Sequence, residues 1–240
     1  MENERKFGGA IGRKYARIDL SGREALRSGE INEFKGFSED FERRFNVWIG
    51  FTPESNEEVT ERLTKPLETI ERDLSLKLFL GGRDYSIHAT LMQGDSAEEL
   101  EVGKRAEIRS ILAHDTELRA TSEELKGLHL PFKYVLIDKG NVLLNVANIP
   151  SVIERMRATI ADAFGRNKLR PVPIENILHM SMARITGLPK EGREDVLREY
   201  MARMIILRHE ISRNPIEAIV QDINVNVGGI AKGGESTRIV

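Results

Sequence analysis

The sequence contains no cysteine among its 240 residues. This absence excludes disulfide bonds, thiolate nucleophiles and metal sites with cysteine ligands. No apolar run approaches the roughly 18 residues of a membrane-spanning helix, and the first residues are charged rather than apolar, unlike a signal peptide. We therefore expect a cytoplasmic protein that is not associated with a membrane.

The sequence also has little excess of either charge. Its 36 basic and 38 acidic residues give a formal net charge of −2, whereas proteins that capture long nucleic acids are usually basic. A local basic cleft is compatible with this balance. The chain has no Walker phosphate loop, no Gly-x-Gly-x-x-Gly motif after a predicted strand and no Gly-x-Ser-x-Gly elbow. Nucleoside triphosphatases, dinucleotide enzymes and serine hydrolases with that elbow are therefore disfavoured.

Two regions of the chain differ in composition. Residues 1–44 are charged and rich in glycine, which predicts an irregular N-terminal arm with a short helix at 38–44. Near its end, phenylalanines recur at three- or four-residue spacing: Phe34, Phe37, Phe41 and Phe45. We expect this apolar series to pack the arm on the body. The body, residues 45–240, is long enough for one large domain or two closely joined lobes.

Hydrophobic periodicity predicts a mixed α+β body. Strands are predicted at residues 45–51, within 79–92 after a turn at Gly81 and Gly82, and at 132–137, 142–146, 174–185 and 219–227. Helices are predicted at residues 57–78, 97–112, 151–164 and 192–206. A helix followed by a histidine-bearing strand occurs twice, which indicates a weak internal duplication. Hairpins among the strands favour an α+β fold over a doubly wound parallel sheet.

Two histidines in these strands are each followed, two residues later, by a hydroxyl side chain. His88 precedes Thr90, and His179 precedes Ser181. Because strand side chains alternate faces, each imidazole points the same way as its hydroxyl partner. An imidazole can transfer a proton near neutral pH, and a hydroxyl can donate a hydrogen bond to an anionic oxygen. The two pairs therefore offer an acid, a base and two donors to phosphate oxygens.

The tripeptide spacing alone is weak evidence. His114 is also followed two residues later by a threonine, but at a polar helix end where no strand is predicted. A structural histidine on a sheet face is the alternative for His88 or His179 taken singly. A metal site is disfavoured because two distant histidines lack a third ligand, and we expect neither metal nor cofactor. His129 and His209 lie in contexts typical of surface residues.

The duplicated motif resembles that of the two-histidine (2H) phosphoesterase superfamily, which includes RNA 2′,3′-cyclic phosphodiesterases once called RNA ligases. The hallmark of this family is a His-x-(Thr/Ser)-x unit in each of two lobes, and the units at His88 and His179 fit it within residues 45–230. The resemblance implies two pseudo-symmetric lobes, each an antiparallel sheet with outer helices, around a central cleft. It further implies that both histidines are catalytic and that Thr90 and Ser181 bind phosphate.

The reaction implied by the resemblance is metal-independent hydrolysis of a phosphodiester, cyclic in the family's RNA enzymes, in a nucleotide or RNA end. In this scheme His179 acts as the base and His88 as the acid. The alternative is a non-catalytic nucleotide- or RNA-binding module that retains the cleft. No obligate protein partner is indicated by the sequence.

Residues beside the two motifs are candidate substrate contacts. Arg83 and Tyr85 precede the first motif and could meet a phosphate or stack on a base, although surface positions at a loop end are also compatible. Arg184 follows His179 by five residues, as in the longer motif of the family. Strand parity puts Arg184 on the opposite face from His179, so a phosphate contact requires a bulge or the end of the strand.

Overall fold

The structure is a computed structural model that describes residues 9–96, 99–172, 177–228 and 236–239. Its α-helices are α1 (Gly9–Ser28), α2 (Glu39–Glu42), α3 (Pro53–Val59), α4 (Lys65–Asp73), α5 (Val102–His114), α6 (Thr116–Glu123), α7 (Ser151–Arg166) and α8 (Arg193–Arg213). Its strands are β1 (Phe45–Phe51), β2 (Lys77–Leu80), β3 (His88–Ser96), β4 (His129–Asp138), β5 (Asn141–Val146), β6 (Leu169–Val172), β7 (His179–Gly187), β8 (Ile216–Val227) and β9 (Ser236–Arg238). A π-helical turn, Thr60–Thr64, joins α3 to α4.

The strands form one continuous sheet in which neighbours are antiparallel. Their order is β2, β7, β5, β4, β8, β1, β3 and β6, with β9 paired to β8. One further pairing, between Ala89 of β3 and Met180 of β7, connects the two motif-bearing strands directly. The predicted α+β fold, with antiparallel strands and helices around a cleft, is confirmed. The two halves are joined through the β4–β8 and β3–β7 pairings.

The core lies between the sheet and the outer helices. All seven residues of β1 are buried, and β8 and β3 flank this strand on its two edges. Helix α7 shows why the helices pack where they do. Its buried apolar residues recur at three- or four-residue spacing: Ile153, Met156, Ile160 and Phe164. This stripe forms one face of the helix, and the Phe164 ring occupies the space where a Cβ on Gly94 of β3 would lie, at 2.6 Å.

The prediction that the N-terminal region is irregular is wrong for most of its described length. Residues Gly9–Ser28 form the 20-residue helix α1, and only the short predicted helix at 38–44 is found as expected, as α2. The glycines that suggested irregularity include Gly22, where a Cβ would lie 2.0 Å from the carbonyl oxygen of Ile137 in β4. Gly22 therefore allows close packing of α1 against the sheet. The Tyr15 hydroxyl donates to the carbonyl oxygen of Val146 (2.9 Å) at the same contact.

Each histidine of the duplicated motif is the first residue of its strand. His88 begins β3 and His179 begins β7. The first histidine strand, predicted within 79–92 after a turn at Gly81 and Gly82, is β3, and that turn, in which Gly82 has a φ of +85°, separates it from β2. Of the strand predicted at 174–185, residues 174–176 lie outside the described residues. The two strands thus start at equivalent points, as the predicted duplication requires.

The other predicted elements are present with shifted boundaries, whereas α6, β6 and β9 do not follow from the sequence patterns. Among the described residues, no helix has both the length and the apolar character needed to cross a lipid bilayer.

Candidate active site

The β3–β7 contact brings the two motifs together. Ala89 and Met180 are paired across these antiparallel strands, and both are fully buried. Because side chains alternate along a strand, the residues on either side of this pair point to the opposite face. Those residues are the two histidines and their hydroxyl partners, and all four line one cleft with a volume of about 350 Å³: His88, Thr90, His179 and Ser181.

A bulge follows the hydroxyl residue in each motif strand. On β3, Thr90 and Met92 are paired with consecutive residues of β1, so Leu91 is an extra residue. On β7, Ser181 and Ala183 are paired with consecutive residues of β5, so Met182 is extra. Each bulge shifts the alternation of side chains by one residue. A phosphate contact by Arg184 requires a bulge in β7, and this bulge is present.

The two bulges place equivalent residues on the histidine face. Arg184 lies five residues after His179, and Gln93 lies five residues after His88; both line the cleft. Gln93 is a site residue that the sequence reasoning missed. The repeated spacing from each histidine is the signal that could have identified it, once a bulge was assumed in both strands.

His88 is held by its own approach segment and by Trp48. Its Nδ1 lies 2.7 Å from the carbonyl oxygen of Ser86; because a carbonyl only accepts, Nδ1 carries the proton and Nε2 is left for the cleft. The Trp48 ring packs edge-on at 5.6 Å between ring centroids. Burial lowers the pKa of His88 to about 4, and the charge of Arg184 adds to this effect, against the hydrogen bond to Ser86.

His179 has a different environment. Its Nδ1 is buried and has no hydrogen-bond partner among the described residues. The residue opposite it on β5 is Asn145, whose Oδ1 is likewise buried without a partner there. Burial lowers the pKa of His179 to about 4, and the nearby His88, Arg184 and Arg157 lower it further in the same direction. Both imidazoles are therefore neutral in the free protein near pH 7.

Arg184 is a partly buried cation that lines the cleft. Its guanidinium carbon lies 4.8 Å from the ring centroid of Phe34 and 5.1 Å from that of Phe37, within the range of cation–π contacts. The backbone amide of Phe34 also donates to the carbonyl oxygen of Ile185 (2.7 Å). Burial lowers the pKa of Arg184, which remains a cation near neutral pH because its ordinary value is far higher. The N-terminal segment thus packs directly on this arginine.

Tyr85 lies inside the fold rather than at its surface. Its hydroxyl donates to the carbonyl oxygen of Ser181 (2.6 Å), and its ring stacks on Phe79 at 4.9 Å between centroids. Burial raises the pKa of Tyr85. Arg83, in contrast, is bound by the carboxylates of Glu71 and Asp84. Tyr85 therefore contributes a ring edge to the cleft wall and joins the two motif segments, whereas Arg83 is engaged in an ion-pair network.

The rest of the cleft wall is aromatic with polar residues between the rings. Its other lining residues are Phe37, Phe41, Arg44, Asn46, Phe79, Val172 and Gly228. The rings of Phe37 and Phe41 stack at 4.6 Å with an interplanar angle of 14°. A second cavity, of about 370 Å³, reaches His179, Ser181 and Arg184 from the side of α1. His179, Ser181 and Arg184 therefore lie between two open spaces.

Two hydroxyls remain available for a ligand. Among the described residues, the side chains of Thr90 and Ser181 have no hydrogen-bond partner, and both line the cleft. The other histidines do not contribute: His114, His129 and His209 are exposed on the outer surface. Within the described ranges, no group of three or more histidine, cysteine, aspartate or glutamate side chains is arranged to hold a metal ion.

Comparison with known proteins shows a shared fold at low sequence identity. No family model and no curated protein matches the sequence. A conserved protein of unknown function from Agrobacterium tumefaciens is similar, with a TM-score of 0.53 and 10% identity over 85% of this chain and 91% of that chain. This likeness shows that the fold is one that known structures share.

Two further similar structures have named proteins. LigT from E. coli, in complex with phosphate, has a TM-score of 0.42 and 14% identity over 82% of this chain and 93% of that chain. Usb1 from Kluyveromyces marxianus has a TM-score of 0.46 and 12% identity over 82% of this chain and 98% of that chain.

Proposed function

We propose that this chain is a 2H phosphoesterase that hydrolyses a cyclic phosphodiester of a nucleotide or RNA end without requiring a metal ion. One observation carries the proposal: both His/hydroxyl pairs, His88 with Thr90 and His179 with Ser181, line a single cleft together with Arg184. A partly buried cation and two free hydroxyls are suited to a phosphate, and two imidazoles are suited to moving protons during its hydrolysis.

The chemistry requires one proton to be removed and one to be supplied. Water attacks phosphorus, so a new P–O bond forms while the bond to one ribose oxygen breaks. One imidazole takes the proton of the attacking water, and the other gives a proton to the leaving ribose oxygen. The hydroxyls of Thr90 and Ser181 donate to the non-bridging oxygens, and Arg184 offsets the charge that accumulates there.

The environments of the two imidazoles support the assignment of His179 as base and His88 as acid. The Ser86 carbonyl accepts a hydrogen bond from Nδ1 of His88, which favours the protonated form of that ring. Nδ1 of His179 has no such partner among the described residues, and three nearby cationic or ionisable groups disfavour its protonation. With a phosphate bound, His179 is thus the imidazole that stays neutral and can accept the proton of the attacking water.

The test is hydrolysis of a panel of nucleoside 2′,3′-cyclic phosphates in the presence of a chelator. We expect turnover by the wild-type protein and a loss of at least about 100-fold in kcat in His88→Ala and in His179→Ala, the usual range for a lost acid or base. His114→Ala is the matched control, because His114 has the same His-x-Thr spacing on the exposed end of α5, and it should retain full activity.

The outcomes separate two functions. Binding of 2′- or 3′-phosphorylated nucleotides without turnover of any cyclic phosphate would overturn the catalytic proposal in favour of a nucleotide- or RNA-binding module. Equal loss of activity in His114→Ala would show that the assay reports folding rather than the chemistry of the cleft.

A further inference from the structure

The cleft extends beyond the histidines toward the start of β1. Asn46 of β1 is paired with Gln93 of β3, and alternation puts Arg44, two residues before Asn46, on the same face. The backbone amide of Gly228 donates to the carbonyl oxygen of Arg44 (2.8 Å), so the ladder between β1 and β8 continues through this position. Arg44, Asn46 and Gln93 all line the same cleft as His88.

Arg44 is a cation without a counter-charge in the described part of the chain. Its Nε is buried and has no hydrogen-bond partner there, and no carboxylate there lies within 4.0 Å of its guanidinium. The neighbouring Arg43 is different, because it pairs with Glu99 at 2.9 Å. Glu42 is at the same rim, with its side chain beside Gly228, but outside ion-pair distance of Arg44.

A buried donor that lacks a protein partner is unfavourable unless water or a ligand supplies an acceptor. A phosphate is the anion whose geometry matches an arginine fork. Four residues of extended strand, about 13 Å, separate Arg44 from Trp48, the residue paired with Thr90. The backbone of Arg44 therefore lies well along the cleft from the level of Thr90, toward the end of the cleft remote from the two histidine motifs.

The space between Arg44 and the histidines is suited to a nucleoside. The stacked rings of Phe37 and Phe41 form one wall, and aromatic faces accept any base by stacking. The side-chain amide of Gln93 lies along the β3 side of this space and offers both a donor and an acceptor.

We propose that Arg44 forms a second phosphate subsite, so that the substrate is a phosphodiester with another phosphate one nucleoside away. This inference rests on the proposed function and specifies its substrate. The second phosphate is either the 5′-phosphate of the nucleotide that carries the cyclic phosphate or the next 3′–5′ linkage of an RNA end. A cyclic mononucleoside phosphate with a free 5′-hydroxyl lacks the group that Arg44 binds.

The experiment compares a nucleoside 2′,3′-cyclic phosphate having a 5′-hydroxyl with the same compound having a 5′-phosphate. We expect the wild-type protein to prefer the 5′-phosphorylated compound by about 10-fold or more in kcat/KM, the effect of one charge-assisted contact. In Arg44→Gln the preference should fall to about one, and Arg44→Lys should restore part of it. Arg43→Gln, which removes an adjacent exposed charge, is the matched control and should keep the full preference.

Three outcomes decide the inference. No preference in the wild-type protein, or a preference that persists in Arg44→Gln, overturns the second subsite while leaving the phosphoesterase proposal intact. Turnover of neither compound overturns the proposed function, and the same comparison made on binding affinities then tests the subsite alone. A dinucleotide that ends in a cyclic phosphate and has a free 5′-hydroxyl distinguishes the two sources, because it supplies only the 3′–5′ linkage.

Discussion

Binding of a phosphate monoester in the cleft should load a proton onto the histidine pair. The pKa of His88 and that of His179 are lowered to about 4 in the free protein, so at pH 7 each imidazole is protonated in only about one molecule in a thousand. A phosphate oxygen about 4 Å from an imidazolium attracts it by about 4 kcal/mol at an effective dielectric constant of about 20. This energy corresponds to roughly three pKa units. The pKa of one imidazole in the complex therefore returns to about 7, and roughly half a proton should be taken up.

Calorimetric titration with a 3′-mononucleotide at pH 7, in two buffers of different ionisation enthalpy, measures this uptake directly. The phosphate group titrates as well, so the informative quantity is the difference between variants. We expect His88→Asn to lose most of the uptake, because His88 carries the proton in the proposed assignment, while His114→Asn keeps it. Equal uptake by the wild-type protein and a His88→Asn/His179→Asn double variant would refute the reasoning.

Three other predictions follow from packing and titration. Gly22→Ala should destabilise the protein by about 1–3 kcal/mol, since its Cβ meets a β4 carbonyl oxygen; an unchanged melting temperature would contradict this. Phe34→Leu should weaken phosphate binding several-fold by removing a ring that packs on Arg184, and unaltered affinity would contradict it. Because the folded-state pKa of His88 and that of His179 are lowered from 6.5 to about 4, the unfolded chain binds more protons below pH 6.5. The free energy of unfolding should therefore fall between pH 6.5 and 4, by up to about 1.4 kcal/mol per pH unit for each histidine, and urea titrations should show a smaller fall in the double asparagine variant.

The sequence predicts the four motif residues because a period of two fixes which side chains share a face of a strand. That rule needs no knowledge of the partner strand, so His88, Thr90, His179 and Ser181 were identifiable from local pattern alone. The same rule fails beyond the bulges. A bulge depends on pairing with a neighbouring strand, which the local sequence does not specify. The local sequence therefore does not identify Gln93 as a site residue, and it predicts a phosphate contact for Arg184 only if a bulge is assumed.

The N-terminal region was mispredicted for a related reason. Glycine favours turns in local sequence, but Gly22 is required by the close approach of α1 to β4, which is a tertiary contact. The phenylalanine spacing predicts an apolar contact but not its partner. Phe34 and Phe37 pack on Arg184, which lies about 150 residues further along the chain. Long-range contacts of this kind are set by the whole fold.

The pair formed by Gln93 and Arg184 has a consequence for the direction of the proposed reaction. Two lobes with equivalent histidines and hydroxyls would, by themselves, accept a phosphodiester in either of two orientations related by the pseudo-twofold axis. Arg184 is a cation, whereas Gln93 at the equivalent position is a neutral amide. The charged phosphate oxygens favour the side of Arg184, so the two orientations are no longer equivalent. In the proposed reaction each imidazole would then meet a chemically distinct ester oxygen, so one pair of unlike residues would give a direction to two otherwise equivalent motifs.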